Sequence, residues 1–330
     1  MVDKRDYDED DVRSRPPRST RPRTKDRPDY TKAEQALVIG VDRGRTTCLF
    51  EDKNDLIVTA MKSRELGKKS VVVGDIVGVV GDISGTEGSL ARIVTVAPRK
   101  SALTRTVDDA AELERMIVAN VDQMAIVLAA ANPEPRHGFV DRALVVAFDQ
   151  GIKPIIIVTK CDLADAKEFL SAYDDLDIAI YKTKRGDDLT AIRQALANHR
   201  TVLLGHSGVG KSTLVNALVE KADRATGIVN EVTGRGRHTS SSALALRLDS
   251  GEGWIIDTPG VRSFGVAHVD NKRVIGAFNE FTEAIEHCPT NCSHDEEACA
   301  LNHWDLDEKS KSRLASLRGL LTSGRTGSQG

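Results

Sequence analysis

The apolar and polar positions change rhythm three times along the chain. Residues 1–33 carry almost no aliphatic side chains and no periodicity. From Ala36 to Ala97, short alternating or β-branched runs recur (LVIGV, RTTCLF, LIVTAM, SVVVGDIVGVV, ARIVTVA), separated by breaks such as DISGTEGS. Such runs predict strands, because β-branched side chains pack well on a pleated, half-buried surface. About five strands in roughly 60 residues, with no room for helices, fit a small closed barrel of the OB or SH3-like kind. The spacing does not separate the two; OB is the better fit.

After a linker containing Arg99, Lys100 and Arg105, VDQMAIVLAAA and KPIIIVTK read as buried parallel strands, each followed by helical spacing. TVLLGHSGVGKSTLVNALV reads as strand, glycine turn and helix, and GWIIDTP as a strand ending in a turn. Strand–helix alternation predicts a doubly wound α/β domain. A Cys/His cluster follows, then helical residues from Asp305 to about Leu321. The expected division is a charged tail over 1–33, a barrel over 34–98, an α/β domain over 99–268 and a zinc-binding helical domain over 269–330.

A length of 330 residues agrees with more than one core. Aromatics make up only 4%, so the cores must rest on Val, Ile, Leu and Ala. With 46 basic against 49 acidic residues the net charge is -3, which excludes a uniformly basic nucleic-acid coat. Charge is nevertheless segregated. The tail opens with Asp8-Glu9-Asp10-Asp11, and between Arg13 and Lys32 it holds eight Arg/Lys against Asp26 and Asp29. That composition predicts disorder: either a solvated terminus or a basic arm for RNA phosphates. No purely aliphatic stretch, Ile155–Val158 among them, is long enough to span a bilayer, and the N-terminus holds no apolar run for a signal peptide. Five cysteines, three of them crowded into 288–299, argue against a disulfide scaffold, so a cytoplasmic protein is expected. Cys48 and Cys161 read as buried, idle thiols.

The strongest chemical signal is Gly205-His206-Ser207-Gly208-Val209-Gly210-Lys211-Ser212, a G-x-x-x-x-G-K-[ST] loop between a strand and a helix. Its glycines let backbone N–H groups curl around phosphates, with Lys211 reaching the β/γ-phosphates and the Ser212 hydroxyl ligating Mg²⁺. Asp257-Thr258-Pro259-Gly260 ends a buried strand 46 residues after Lys211. Asp257 is placed to hold Mg²⁺ through water, and Gly260 to offer its N–H to the γ-phosphate. Thr159-Lys160-Cys161-Asp162 ends the strand IIIVTK. A carboxylate at Asp162 accepts from N1–H and N2–H₂ of guanine, a donor pair adenine lacks, while the Lys160 stem covers the base; GTP is preferred to ATP. Because this base-reading segment precedes the P-loop, the domain reads as circularly permuted, a rearrangement that compact domains with neighbouring termini tolerate.

Between P-loop and Asp257, the segment GRGRHTSSS suits a switch loop, with Thr239 closing over Mg²⁺. Val261 follows Gly260 and cannot orient water, so slow intrinsic hydrolysis is expected, with either His238 or a partner's group acting; His238 is favoured. Cys288-x3-Cys292-x-His294-x4-Cys299 supplies the ligands of a closed tetrahedral structural zinc site, with His287 and His303 as substitutes for His294.

A β-barrel, NVDQ (Asn120–Gln123), TKCD, GHSGVGKSTLVN, GRGRHT, DTPGVRSF and a Cys/Cys/His/Cys cluster, in that order, resemble the ribosome small subunit-dependent GTPase A family over about residues 35–320. The resemblance implies an OB-fold barrel, a circularly permuted P-loop GTPase domain and a C-terminal zinc domain. It implies GTP hydrolysis to GDP stimulated by the small (30S) ribosomal subunit late in its maturation, contact with 16S rRNA, a monomer, and no membrane. Phosphate binding carries to Gly205–Thr213, base binding to Lys160 and Asp162, zinc to Cys288, Cys292, His294 and Cys299, and a catalytic role to His238. Three departures stand out. Thr159 replaces a commoner Asn, losing an amide that braces the P-loop. Thr183-Lys184 replaces the Ser-Ala that backs guanine O6, and two gaps in the cysteine cluster are each one residue short. The competing readings are an rRNA-binding placeholder in which nucleotide only tunes affinity, and an ATP-dependent kinase.

Overall fold

The computed structural model describes residues 30–42, 44–67, 70–106, 114–219, 243–258, 271–290 and 292–326. The tail expected to be disordered therefore lies, apart from its last residues, outside the described residues.

The strands β1 (Glu34–Asp42), β2 (Arg45–Phe50), β3 (Leu56–Lys62), β4 (Ile76–Gly81) and β5 (Ala91–Val96) pair in the order β1-β2-β3-β5-β4, and β4 pairs again with β1. The β3–β5 contact is parallel and the other barrel pairings are antiparallel. This closed Greek-key ring is OB-like and settles the choice that spacing had left open. Alternate residues fill its interior: Ala36 and Val38, Cys48 and Phe50, Val58 and Ala60, Val77 and Val79, Ala91 and Ile93. Burial pushes the Cys48 thiol up to about 12, so it packs as a small protonated apolar group.

The expected linker is in fact a hairpin. Strands β6 (Ala102–Thr106) and β7 (Glu114–Ala119) pair antiparallel, and Val118 bridges back to Val73 of the barrel. Arg99 is a clamp: its Nε and Nη2 donate to the two carboxylate oxygens of Asp75 at 2.6 and 2.8 Å. Asp75 is fully buried and also accepts the Val72 N–H at 2.9 Å. The NVDQ segment follows. Asn120, at φ 56, donates its amide to the Gly74 carbonyl and accepts the Lys100 N–H, each at 2.9 Å. A Cβ on Gly74 would stand 1.9 Å from the Ala119 carbonyl oxygen, so only glycine permits this close approach. Gln123 accepts the Thr201 hydroxyl at 2.7 Å and donates to the Ala195 carbonyl at 3.0 Å, tying its own strand to the neighbouring strand and to a helix.

Those strands belong to a second sheet portion, ordered β10 (Ala179–Lys182), β9 (Lys153–Thr159), β8 (Gln123–Ala129), β11 (Arg200–Leu204), β13 (Trp254–Asp257) and β12 (Leu244–Arg247). All its pairings are parallel except β12–β13. Every residue of central β8 is buried, as expected of a strand covered on both faces. The helices α1 (His137–Asp149), α2 (Lys167–Leu170), α3 (Thr190–Leu196) and α4 (Lys211–Leu218) complete the α/β domain. Barrel and sheet are continuous through a single β1–β12 pairing, Gly40 with Leu244. Beside it Arg247 binds Asp55 at 2.6 Å and Glu51 at 3.3 Å, and lies over the Trp254 ring at 5.2 Å.

The C-terminal part holds α5 (Asn271–Gly276), α6 (Thr282–Glu286) and α7 (Glu308–Thr326). Leu314, Leu317 and Leu321 recur at helical spacing and bury one face of α7 in the core that also holds α1. Arg313 stacks on Phe278 at 5.3 Å and pairs with Glu280, joining α7 to the segment before it.

Candidate functional site

Three segments leave the C-terminal ends of neighbouring parallel strands, where ligands of open α/β sheets bind. The ladder fixes their heights: Ala129 of β8 pairs with Thr159 of β9, Leu204 of β11 with Ile126 of β8, and Leu203 of β11 with Asp257 of β13. The P-loop, the Asp257 turn and the Thr159–Asp162 turn are thereby gathered at one edge, whatever their order in the chain.

Leu204 ends β11 and Lys211 opens α4, so residues 205–210 form the loop between them. Gly208 and Gly210 have φ of +82 and +94, a region that side chains strain to enter. A Cβ on Gly205 would meet the Val127 carbonyl oxygen at 2.4 Å, so the loop can start so close to β8 only as glycine. Val209 is buried, and the His206 ring rests on Phe139 of α1 with centroids 4.5 Å apart. Ser207 is exposed, as are Ser212 and Thr213 in the first turn of α4. The Lys211 ammonium donates to the carbonyls of Gly205 and His206. Burial lowers the Lys211 pKa, and the charge of Asp257 partly opposes that shift.

Burial likewise raises the Asp257 pKa, with opposition from Lys211 and the Thr258 N–H. Its Oδ1 is buried and finds no hydrogen-bond partner among the described residues. A carboxylate oxygen left unpaired away from water is costly. Close to Lys211, that oxygen is a fitting acceptor for the waters of a Mg²⁺ shell. Thr258 is turned away, its hydroxyl donating to the Leu203 carbonyl at 3.1 Å. His238, Thr239, Gly260 and Val261 lie outside the described residues.

At the other end, Thr159 corrects an expectation. Its buried hydroxyl faces the Val209 carbonyl of the P-loop at 2.5 Å and the Leu128 carbonyl at 3.0 Å. Its one proton can serve either acceptor, so the bracing expected to be lost with asparagine is supplied by a shorter side chain. Lys160, at φ 55, donates to the Asn132 carbonyl, and Asp162 is exposed just beyond it. Cys161 is half-buried rather than buried; its thiol donates to the Val158 carbonyl at 3.4 Å. Its N–H donates to the Thr183 carbonyl at 3.2 Å, which sets Thr183-Lys184 against the Thr159–Asp162 turn. A cleft of about 580 Å³ runs between these segments and α4, lined among others by Thr159, Lys160, Thr183, Lys184, Gly210 and Thr213. Arg185, Gly186 and Asp187 line it too and were missed from sequence. The polar, glycine-bearing KRGDD directly after a strand was the available signal.

The metal cluster closes on its own. Tetrahedral zinc with Zn–S of about 2.3 Å sets ligand atoms roughly 3.8 Å apart. Here Cys288 Sγ lies 3.8 Å from Cys299 Sγ and 3.6 Å from His294 Nδ1, and Cys299 Sγ lies 4.0 Å from that nitrogen. With Cys292 included, all four ligand atoms lie within 4.8 Å of one another. The shortened gaps therefore still allow the ligands to meet. His294 takes a left-handed turn at φ 65, and its carbonyl accepts Arg318 Nε of α7 at 2.8 Å, tying the cluster to the last helix. His287 stacks on Trp304 at 5.6 Å, and neither it nor His303 joins the cluster.

A sequence model of the RsgA GTPase family matches residues 96–267. The small ribosomal subunit biogenesis GTPase RsgA of Pseudomonas aeruginosa PAO1 is 38% identical over 242 residues, 70% of each chain. That of Azotobacter vinelandii is 36% identical over 242 residues, 70% of this chain and 69% of its own. Among solved structures, the circularly permuted GTPase YloQ superimposes with a TM-score of 0.62 at 22% identity, covering 90% of this chain and 96% of its own. YjeQ from Thermotoga maritima gives 0.59 at 24% identity, covering 87% and 98%.

Two outcomes are expected. A carboxyl whose folded pKa is raised contributes stability below its unfolded pKa and loses it as pH rises through the folded value. Asp257→Asn should therefore raise the Tm of nucleotide-free protein near pH 7 by a few degrees, about 2–4 °C, with the gain shrinking toward pH 4. The same change should remove the Mg²⁺-dependent part of GTP binding; a lower Tm at pH 7 would contradict the argument. Second, elemental analysis should find one zinc per chain. Its removal by chelator, or Cys299→Ser, should unfold the C-terminal part, read as lost protease resistance over 271–326.

Proposed function

The chain belongs to the RsgA GTPase family, and from that premise we propose that it hydrolyses GTP on the small ribosomal subunit during late maturation and then dissociates. The observation that carries the nucleotide chemistry is the convergence of the P-loop, the orphaned Asp257 oxygen and the Thr159–Asp162 turn on one sheet edge. In this reading the N–H groups of Gly205–Thr213 and the Lys211 ammonium bind the phosphates. Asp162 reads the N1–H and N2–H₂ of guanine, and Lys160 covers the base. Ser212, Thr239 and, through water, Asp257 would hold Mg²⁺, which neutralises charge on the β- and γ-phosphates. Gly260 offers its N–H to the γ-phosphate. Water attacks the γ-phosphorus, the bond to the β–γ bridging oxygen breaks, and GDP and phosphate leave. With Val261 beside Gly260, His238 is the residue proposed to align that water.

Lys211 now bonds its own loop's carbonyls, so its ammonium is held at the rim where phosphate oxygens would replace them. The zinc ligands Cys288, Cys292, His294 and Cys299 would serve structure: the cluster sits under α7 and has no protein-free ligand position to offer chemistry. Barrel (34–98) and zinc domain (269–330) are proposed to flank the GTPase domain (99–268) and to grip 16S rRNA, mainly through phosphates, with the basic tail adding to that grip. Among the described residues no helix is long and apolar enough to cross a membrane. A cytoplasmic monomer, as expected from the sequence, is a separate part of the proposal.

Steady-state GTP hydrolysis, with and without purified small subunits, tests the proposal. Subunits should raise turnover by orders of magnitude, about 10² or more, and His238→Ala should abolish the rise while leaving subunit binding intact. Stimulation that survives His238→Ala would move the water-aligning group onto the ribosome.

A further inference from the structure

The metal loop is held by a network that reaches beyond its four ligands. His294 is buried and takes a left-handed backbone at φ 65, a conformation that residues other than glycine enter at a cost. Both of its backbone polar groups are engaged. Its N–H donates to Cys292 Sγ at 3.4 Å, and its carbonyl accepts Arg318 Nε at 2.8 Å. From the same edge of the guanidinium, Arg318 Nη2 donates to Asn302 Oδ1 at 2.6 Å. Asn302 ends the short 3₁₀ turn Ala300–Asn302, and its Nδ2 donates to the carbonyls of Glu296 and Glu297 at 2.8 and 3.2 Å. The Glu296 carbonyl also accepts the N–H of Cys299, another ligand, at 3.0 Å. The Glu296 carboxylate accepts the Ser293 N–H at 2.9 Å.

Four residues separate His294 from Cys299. One arginine grips that stretch at its start directly and at its middle through one asparagine. The two ligand atoms it spaces, His294 Nδ1 and Cys299 Sγ, stand 4.0 Å apart. We propose that Arg318 and Asn302 are positioning residues of the zinc site: acting through the loop backbone rather than as ligands, they fix the spacing of His294 and Cys299 and so govern how tightly zinc is held. This rests on the zinc reading of the cluster and extends it to the last helix. Partners that orient metal ligands are worth about 10–100-fold in affinity. Asn302 uses both ends of its amide, so aspartate, whose oxygens only accept, would turn two bonded carbonyls into repelling neighbours. Lysine at 318 would keep the charge without the pair of parallel donors.

The test loads the full chain with zinc, challenges it with excess chromophoric chelator and follows release. Release starts from the folded, loaded state, so it reads the local hold on the ligands. Arg318→Ala, Arg318→Lys and Asn302→Asp should each release zinc about 10–100-fold faster than wild type. Their Co²⁺-loaded absorption should still report a tetrahedral thiolate-rich site, because all four ligands remain. Arg313 lies on the same helix but holds Glu280 and the Asp175 carbonyl, so Arg313→Ala should release at the wild-type rate. Wild-type release from Arg318→Ala and Asn302→Asp would overturn the inference. Equal acceleration in Arg313→Ala would also overturn it, since the metal would then feel only the docking of α7. Full rescue by Arg318→Lys would do the same, since charge alone would suffice. Should Arg318→Ala fail to fold, Asn302→Asp decides alone, its side chain being exposed and outside α7. A wild-type chain that carries no zinc would remove the zinc reading itself, an outcome distinct from a loaded wild type whose variants release normally.

Discussion

Everything at the nucleotide edge depends on the register of one parallel ladder. Because β9, β8, β11 and β13 run parallel and end at one edge of the sheet, three segments far apart in sequence project from a common rim. Strand pairing, not chain order, sets their positions. The Thr159–Asp162 turn can therefore precede the P-loop by about 50 residues without disturbing the geometry. The two turns are also joined directly, since the Thr159 hydroxyl reaches the Val209 carbonyl. One short side chain thus couples the Thr159–Asp162 turn to the P-loop.

The same sheet carries the site's connection to the rest of the molecule. β12 pairs with β13, which ends in Asp257, and with barrel strand β1. Arg247 reinforces that seam by binding two acids of the β2–β3 connection. On the other side, Gly74 and Asn120 hold the barrel against the start of β8. The barrel is therefore attached at two places, and one of them is a strand that neighbours the strand ending in Asp257. A displacement at Asp257 has a short covalent and hydrogen-bonded route to the barrel. Residues 271–326 are attached differently, through the apolar face of α7 against α1 and through Arg318 on the metal loop.

What was legible in the sequence was what is contiguous. The P-loop, Asp257 and the zinc ligands each sit in a run of a few residues whose chemistry does not depend on distant partners. The choice of OB over SH3-like barrel was not legible, because it turns on a parallel β3–β5 contact between residues some 30 positions apart. The β6–β7 hairpin was missed because its strands flank the charged stretch TVDDAAELE, which breaks the alternation. Thr159 read as a loss because only the fold brings its hydroxyl to the P-loop. The NVDQ motif served only to recognise the family. In the fold it is a joint, with Asn120 on the barrel and Gln123 bonded to β11 and α3.

The central claim is that a nucleotide bound at this sheet edge governs attachment to the small subunit. Sedimentation of the full chain with purified small subunits tests it most directly, with a non-hydrolysable GTP analogue in one sample and GDP in another. The account predicts co-sedimentation with the analogue and release with GDP, and a weaker difference in Lys211→Ala. Equal binding in both nucleotide states would contradict it, and would leave a subunit-binding protein whose nucleotide site does not control its attachment.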